Sequence, residues 1–330
     1  MNKSFFNSFF ERDVHPRRGL MAFEWVIMIY LLITLVVVLI FHERATNPSE
    51  MIWFRVGVLA LTLVLWGVYR LWPCLALRAL RAGAHLALLG LWYPDTFEMN
   101  KMFVPNLDHV FASMEQGVFG FQPALVFAEK CCNHVFSELM CLGYSSYYPI
   151  IGTVTLFYLF CRRQEFERAV FVIIGAFFIH YVIFDLLPVS GPQFYYYVVG
   201  EDQIAQGVFP NIHDFYATSW DGNCLSIPGW KDGFFHHLVQ HAHDAGERPT
   251  AAFPSSHVSV TVALLCLAWH TRNRWLFYCL LPLGILMFFG TFYIKAHYAI
   301  DAMAGVVSGG LCYWLLMKWS RADFHNHPLS

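Results

Sequence analysis

Long runs without a charged residue constrain this sequence more than any other feature. No Asp, Glu, Lys or Arg occurs within Trp25–Phe41, Leu139–Cys161, Ala169–Phe184 or Trp275–Ile294. The hydrocarbon core of a bilayer is about 30 Å thick, and a helix needs roughly 20 apolar residues to cross it. Charged residues make up only 13% of the 330-residue chain, whereas about 25% is usual for a soluble domain. We therefore expect an integral membrane protein rather than a soluble or disordered one.

Eight apolar segments are candidate membrane spans: residues 21–41, 51–70, 77–93, 139–161, 169–188, 255–270, 275–293 and 299–317. The third segment is the weakest, because it is short and carries Arg78 and Arg81 near its start. The sixth segment is also short and begins with polar residues. The pattern predicts an all-α fold, a polytopic transmembrane helical bundle of about six to eight spans.

The distribution of Lys and Arg predicts how the chain is oriented. Of these 21 residues, 14 fall on one side of the eight predicted spans and seven on the other. The richer side is normally cytoplasmic, which predicts that both termini are cytoplasmic. The apolar run of the first span is longer than the 7–15 residues of the apolar region of a cleavable signal peptide. We therefore expect the first span to stay in the membrane. The chain has 21 Lys and Arg residues and 23 Asp and Glu residues. It has no excess of positive charge, so we do not expect it to bind nucleic acid.

Three polar segments lie where predicted spans begin or end, all at the boundary opposite the termini. They are Asp185–Pro192, Phe253–Ser259 and Lys295–Asp301. Ionisable residues at membrane depth are costly and usually functional. Because these segments are distant in sequence and meet at one level, they predict a composite active site on the extracytoplasmic face, periplasmic or lumenal.

His257, His297 and Asp301 are the candidate catalytic residues. A spacing of four residues places His297 and Asp301 on one face of a helix. There a carboxylate can accept the Nδ1 proton of the imidazole and stabilise the charge that develops when Nε2 attacks. His257 would act as the general acid. Ser255 and Ser256, at a helix start, would offer backbone N–H groups and a hydroxyl to phosphate.

The same residues carry a resemblance to a known family. A PSSH sequence, followed about forty residues later by HxxxD at a helix start, resembles the type 2 phosphatidic acid phosphatase superfamily. The phrases AAFPSSH, GTFYIKAHYAIDAMAG, LLPVSGP and SSYYP are similar to the branch that contains inositol phosphorylceramide synthases. The resemblance covers roughly residues 135–320, so it implies a membrane-embedded core of the phosphatase type.

By that resemblance, His297 would be the nucleophile that forms a phosphohistidine. Asp301 would orient it, and His257 would protonate the leaving group. The branch implies transfer of phosphoinositol from phosphatidylinositol to ceramide. The partners would then be a phospholipid donor and ceramide or another lipid acceptor, with no metal and no cofactor.

Two departures from the superfamily pattern bear on the substrate. Gly290 and Thr291 stand where phosphatases have a Ser-Arg pair, and Gln193 follows Gly191-Pro192 without an Arg. The phosphate would lose its usual guanidinium contacts. Lys295 and Arg248 are the nearest basic substitutes, and Gln193 joins them among the candidate phosphate-binding residues. Because the synthase branch also lacks the full Arg set, the departures favour it over a phosphatase.

Tyr147 is a further candidate for contact with the substrate. Its aromatic ring could stack on a sugar or inositol ring. Belts of Tyr and Trp at membrane interfaces explain it equally well, so both interpretations stay open.

Two other functions stay open from the sequence. One is a lipid phosphate phosphatase acting on phosphatidate or phosphatidylinositol phosphate. The other is a lipid transporter or binding protein without catalysis, although a proton relay would place some ionisable groups near mid-membrane. A zinc site among His236, His237, His241 and His243 is a weaker alternative to a polar loop, because the spacing fits no standard zinc motif.

The sequence also suggests how the chain is organised. We expect N-terminal membrane helices and an interfacial segment over residues 1–134, and the catalytic core over 135–320 with an outer loop at 189–254. A cytoplasmic tail would follow at 321–330. Cys131 or Cys132 could pair with Cys224 on the outer side, and spacing does not decide between them.

Overall fold

The fold is seen in a computed structural model that describes residues 3–14, 16–244 and 246–326. Within those ranges it contains helices and no β-strand, which confirms the predicted all-α class. The helices are α1 (Lys3–Phe10), α2 (Ala22–Ile40), α3 (Pro48–Leu71), α4 (Leu75–Asn100), α5 (Asp108–Phe119), α6 (Pro123–Lys130), α7 (His134–Ser145), α8 (Tyr147–Cys161), α9 (Phe166–Leu186), α10 (Pro192–Val199), α11 (Glu201–Ala205), α12 (Phe215–Thr218), α13 (Phe234–Asp244), α14 (Ser256–His270), α15 (Arg274–Tyr293) and α16 (Ala299–Asn326). Of the predicted tail, residues 321–326 continue α16, and residues 327–330 lie outside the described part.

Six of the described helices are long and apolar enough to cross a membrane, namely α2, α3, α4, α9, α15 and α16. Two shorter apolar helices, α8 and α14, correspond to the fourth and sixth predicted spans. The fourth span differs from its prediction of 139–161, because α7 ends at Ser145 and α8 begins at Tyr147. Pro149 lies in the first turn of α8, where its missing N–H leaves no helical hydrogen bond unmade.

The chain divides into two compact units. The first comprises residues 1–92, 155–178 and 314–330, and the second comprises residues 93–154 and 179–313. The predicted boundary at residue 134 stays a prediction.

In the first unit, ion pairs compensate the charges that lie within apolar helices. Arg81 of α4 forms a close, fully buried ion pair with Glu24 of α2. Arg55 of α3 donates from Nε to the Thr34 hydroxyl at 3.0 Å and from a guanidinium nitrogen to the Met51 carbonyl at 3.0 Å. Because buried charges are tolerated when they are paired and hydrogen-bonded, α4 forms a helix of 26 residues despite its two Arg residues.

The second unit holds every residue of the candidate site. Its α15 packs along α7 and α14. The start of α14 lies directly against α16, where a Cβ on Gly305 would come within 2.8 Å of the Ser255 carbonyl oxygen. A side chain at position 305 would therefore push apart the helices that carry His257 and Asp301.

Candidate active site

Two imidazole rings from distant parts of the chain face each other in the second unit. His257 lies in the first turn of α14, and His297 lies two residues before α16. Their ring centroids are 5.6 Å apart, with the ring planes at 65°. His297 is 4% exposed. The structure therefore brings together the two histidines that the sequence singled out.

The loop that carries His297 is held by backbone contacts. Lys295 adopts a left-handed conformation with φ of 67°, which ends α15. The His297 N–H then donates to the Thr291 carbonyl at 3.2 Å. Gly191, also left-handed with φ of 89°, lies so close to the Ala296 carbonyl oxygen that a Cβ would collide with it. Glycine at position 191 thus allows two of the three polar segments to meet.

The hydrogen bond to Nδ1 of His297 fixes which nitrogen is free. Nδ1 donates to the Ala252 carbonyl oxygen at 2.8 Å. Since a carbonyl oxygen only accepts, the proton is assigned to Nδ1, and Nε2 keeps its lone pair. Burial lowers the pKa of His297 to about 4, and the hydrogen bond to Ala252 opposes that shift. The ring is accordingly a neutral nucleophile near pH 7.

Asp301 lies close to His297 without a hydrogen bond to it in this structure. Its Oδ2 is 3.8 Å from Nδ1 of His297 and accepts the Tyr298 N–H at 2.8 Å. Its backbone carbonyl accepts the Ser255 N–H at 3.1 Å. The direct Nδ1 hydrogen bond anticipated from the four-residue spacing goes to Ala252 instead. At 3.8 Å, the carboxylate can still act on His297 through its charge.

Ser255 and Ser256 begin α14. The Ser255 hydroxyl accepts the Val258 N–H at 3.4 Å and so caps the helix. Ser255 is fully buried, whereas Ser256 is partly exposed. Of the two hydroxyls, that of Ser256 is therefore the more accessible to a substrate.

Two tyrosine rings flank His257. The ring of Tyr144 stacks on it with a centroid distance of 4.6 Å and an interplanar angle of 24°. The ring of Tyr147 lies at 4.4 Å and 39°, and its hydroxyl donates to the Ser256 carbonyl at 3.5 Å. Tyr147 was a sequence candidate and Tyr144 was not, although Tyr144 directly precedes the SSYYP stretch.

The two basic candidates each have another partner. The Lys295 ammonium forms a close ion pair with Glu201. The Arg248 guanidinium lies over the Trp220 ring, 5.9 Å from its centroid. In this arrangement both cations interact with other side chains instead of pointing a free charge at a phosphate on His297.

Gln193 lies beside the loop that carries His297. Its N–H donates to the Lys295 carbonyl at 2.7 Å. Gln193 itself is buried, with 4% of its surface exposed.

Asp108 is a second buried carboxylate that the sequence did not reveal. It accepts the Ser190 N–H at 2.8 Å, the Ser190 hydroxyl at 2.6 Å, the Gly191 N–H at 2.9 Å and the Tyr298 hydroxyl at 3.0 Å. Burial raises the pKa of Asp108, and its hydrogen bonds with Ser190 are foremost among those that oppose the rise. Asp108 thus ties the SGP segment to the residue that follows His297.

The N-terminus of α16 is held by Glu115. Its carboxylate accepts the Ile300 N–H at 3.1 Å. Burial raises the pKa of Glu115 to about 7, and the backbone hydrogen bonds oppose the rise. Asp185, from the first polar segment, is buried at the end of α9.

The histidines of α13 form no metal site in the part of the chain that the structure describes, where no group of three or more metal-ligating side chains converges. Nε2 of His243 lies 3.2 Å from the Cys224 sulfur and 3.5 Å from the Glu247 carboxylate. All nine cysteines are described, and all are free, so neither Cys131 nor Cys132 is joined to Cys224 here.

Comparison with known proteins gives one match. The PAP2 superfamily profile matches residues 109–315. That range contains all of the sequence candidates for the site, from Tyr147 to Asp301. No curated protein and no solved structure gives a significant match to the chain.

Proposed function

The chain belongs to the PAP2 superfamily, and from that premise we propose that it transfers phosphoinositol from phosphatidylinositol to ceramide through a phosphohistidine at His297. Members of the superfamily are phosphatases or phosphotransferases that act on lipid phosphate headgroups. The protein is therefore a membrane enzyme of that kind, which decides against a transporter without catalysis. The donor, the acceptor and the roles of individual residues are our proposal.

One observation carries the chemistry. Nδ1 of His297 is bonded to the Ala252 carbonyl, which leaves Nε2 unprotonated, and the His257 ring lies 5.6 Å away between centroids. The two rings are therefore the neighbouring groups that can supply the nucleophile and the proton donor for displacement at phosphorus.

In the first step, Nε2 of His297 attacks phosphorus, and the bond from phosphorus to the glycerol oxygen breaks. Protonated His257, whose charge is stabilised by the anionic phosphodiester bound beside it, gives its proton to that oxygen, and diacylglycerol leaves. In the second step, neutral His257 takes the proton of the ceramide hydroxyl. The ceramide oxygen attacks phosphorus, the bond to Nε2 breaks, and both histidines return to their starting forms.

The charges around the site favour a phosphodiester over a phosphomonoester. A phosphomonoester carries close to two negative charges at pH 7, whereas a phosphodiester carries one. Lys295 is paired with Glu201, and Arg248 lies over Trp220. Because both nearby cations have other partners, a doubly charged headgroup is penalised more than a singly charged one, which supports the synthase over the phosphatase.

An apolar groove provides space for a lipid chain beside His257. It has a volume of about 270 Å³ and is lined by residues of α14, α15 and α16, among them Val258, Thr261, Ile285 and Phe288. Val258 follows His257 directly in the sequence. A chain lying in this groove would hold its headgroup end near the reacting rings and would exclude water, which a synthase requires.

The orientation is part of the proposal. The 14 Lys and Arg residues on the side of both termini support cytoplasmic termini and a catalytic site at the extracytoplasmic face.

The test is transfer by the purified protein in lipid or detergent. We expect labelled inositol headgroup to move from phosphatidylinositol to ceramide, with release of diacylglycerol. His297→Ala should abolish transfer, while His237→Ala, a change of the same type at an exposed histidine of α13, should retain it. Release of inorganic phosphate from phosphatidate without headgroup transfer would contradict the synthase. Full activity of His297→Ala would contradict the nucleophile.

A further inference from the structure

Asp108 is a fully buried carboxylate that the two proposed steps do not use. Three N–H groups donate to it, from the Asn106 side chain and from the backbone of Ser190 and Gly191. The hydroxyls of Ser190 and Tyr298 also donate to it. Burying a carboxylate is costly unless it is hydrogen-bonded, and these five donors hold its two oxygens in one place.

A chain of hydrogen bonds leads from Asp108 to the imidazole of His297. The Ser190 N–H that Asp108 accepts belongs to the same peptide group as the Val189 carbonyl. That carbonyl accepts the Ala252 N–H at 2.9 Å. The Ala252 carbonyl in turn accepts a hydrogen bond from Nδ1 of His297 at 2.8 Å. Asp108 is therefore connected through backbone groups to the ring nitrogen that carries the proton.

A second route connects Asp108 to the loop that carries His297. Oδ1 of Asp108 accepts the Tyr298 hydroxyl at 3.0 Å and the Gly191 N–H at 2.9 Å. Tyr298 is fully buried and directly follows His297. Gly191 packs so closely on the carbonyl oxygen of Ala296 that a Cβ would collide with it. One carboxylate thus holds groups that contact the residues on both sides of His297.

The backbone that these contacts support is strained at two residues that are not glycine. Ala251, which precedes Ala252, has φ of 67°, and Lys295, two residues before His297, also has φ of 67°. Such conformations persist only where the surrounding structure fixes them. Without the carboxylate of Asp108, both loops would lose support, and Nδ1 of His297 would no longer be held on the Ala252 carbonyl.

We propose that Asp108 is a positioning residue of the reaction, which keeps His297 in the tautomer with its proton on Nδ1 by holding the segments that flank the ring. Nε2 then has the lone pair that attacks phosphorus. This inference rests on the proposed function for the role of His297 as the nucleophile. Asp108 acts on the ring through its partners, which are the backbone of Ser190 and Gly191 and the hydroxyl of Tyr298.

The first measurement determines the tautomer directly and needs no turnover. Purified full-length protein with isotope-labelled histidine side chains is studied by nitrogen NMR near neutral pH, and the His297 signals are identified by their absence from His297→Ala. In the unmodified protein we expect Nδ1 to be protonated and Nε2 to be unprotonated. Asp108→Asn should give a mixture of the two tautomers, because the amide replaces one accepting oxygen by a donor.

The second measurement is the single-turnover rate of covalent labelling by phosphatidylinositol with a labelled headgroup. Asp108→Asn should slow labelling about 10²-fold, as misplacement of a reacting group predicts. The lipid concentration that gives the half-maximal rate should change little, because the change affects the reacting atoms and not the binding of the lipid. Tyr298→Phe removes one donor and keeps the carboxylate, so it should slow labelling about tenfold.

Glu138→Gln is the matched control. Glu138 is also a carboxylate of the second unit that accepts two backbone N–H groups, those of Phe235 and His236, each at 3.0 Å. It lies on α7 and holds the start of α13. Its loss should lower the melting temperature and leave both the labelling rate and the tautomer of His297 unchanged.

The role of Asp108 would be overturned by an unchanged labelling rate in Asp108→Asn, by an unchanged His297 tautomer together with a slower rate, or by equal slowing in Glu138→Gln. If Asp108→Asn does not fold, Tyr298→Phe decides by the same two measurements. Absence of labelling by phosphatidylinositol in the unmodified protein would overturn the proposed function, whereas the NMR comparison would still decide whether Asp108 fixes the tautomer.

Discussion

Substitution of Asp301 by Asn tests how the carboxylate acts on His297. Asn keeps the shape of the side chain and an oxygen that can accept the Tyr298 N–H, so the local fold should persist. What is lost is the negative charge that Asp301 carries once His297 becomes cationic, 3.8 Å from Nδ1 of His297. The proton on that nitrogen is held by the Ala252 carbonyl at 2.8 Å, so the tautomer should survive the change.

The size of the effect follows from Coulomb's law. When Nε2 bonds to phosphorus, the imidazole ring becomes positively charged and the carboxylate stabilises it. At this distance, and with an effective dielectric constant near 20, the interaction is about 4 kcal/mol. Each 1.36 kcal/mol is tenfold in rate, so formation of the phosphohistidine should slow by roughly 10³-fold.

The assay is a single-turnover measurement of covalent labelling by phosphatidylinositol carrying a labelled inositol headgroup, quenched at neutral pH because phosphohistidine is acid-labile. Asp232→Asn, at an exposed site, should label at the unmodified rate. A loss of less than about threefold would show that the charge at 3.8 Å contributes little. Complete loss, as in His297→Ala, with an intact fold, would show that Ala252 does not preserve the tautomer and would contradict a purely electrostatic role for Asp301.

Three further predictions concern individual contacts. Tyr144→Leu should lower kcat about three- to tenfold through loss of the stack on His257, since aromatic pairs contribute about 0.5–1.5 kcal/mol; an unchanged kcat in steady-state transfer assays would contradict this role. Because burial raises the pKa of Glu115 to about 7 from 4.5, the folded state holds this proton more tightly than the unfolded chain. The contribution of Glu115 to stability should therefore be greatest below about pH 4 and be lost as the pH rises through 7, and Glu115→Gln should flatten the dependence of the melting temperature between pH 5 and 8. Because the pKa of His297 is lowered to about 4, covalent labelling should persist to pH 5 and fall only as the pH drops through 4; an acid limb near pH 6.5 would contradict a buried neutral nucleophile.

Local patterns predicted much of the fold. Each of the eight apolar segments corresponds to an apolar helix, because length and hydropathy are properties of a short stretch of chain. The error at 139–161 came from treating an uncharged run as one helix, although Pro149 lay within it and marked a helix start. The third span looked weak because it is short and carries Arg78 and Arg81 near its start, and the partner of Arg81, Glu24, lies 57 residues away in the sequence.

Composition and local spacing were enough to predict a helical membrane protein and to single out His257, His297 and Asp301 at helix starts. The partners of these side chains depend on how distant segments pack: the Ala252 carbonyl accepts a hydrogen bond from Nδ1 of His297, and Glu201 pairs with Lys295. The two kinds of relation differ in range. Helical spacing relates residues three or four apart, whereas a hydrogen bond needs atoms about 3 Å apart, and between distant segments only the packing of the helices brings atoms that close.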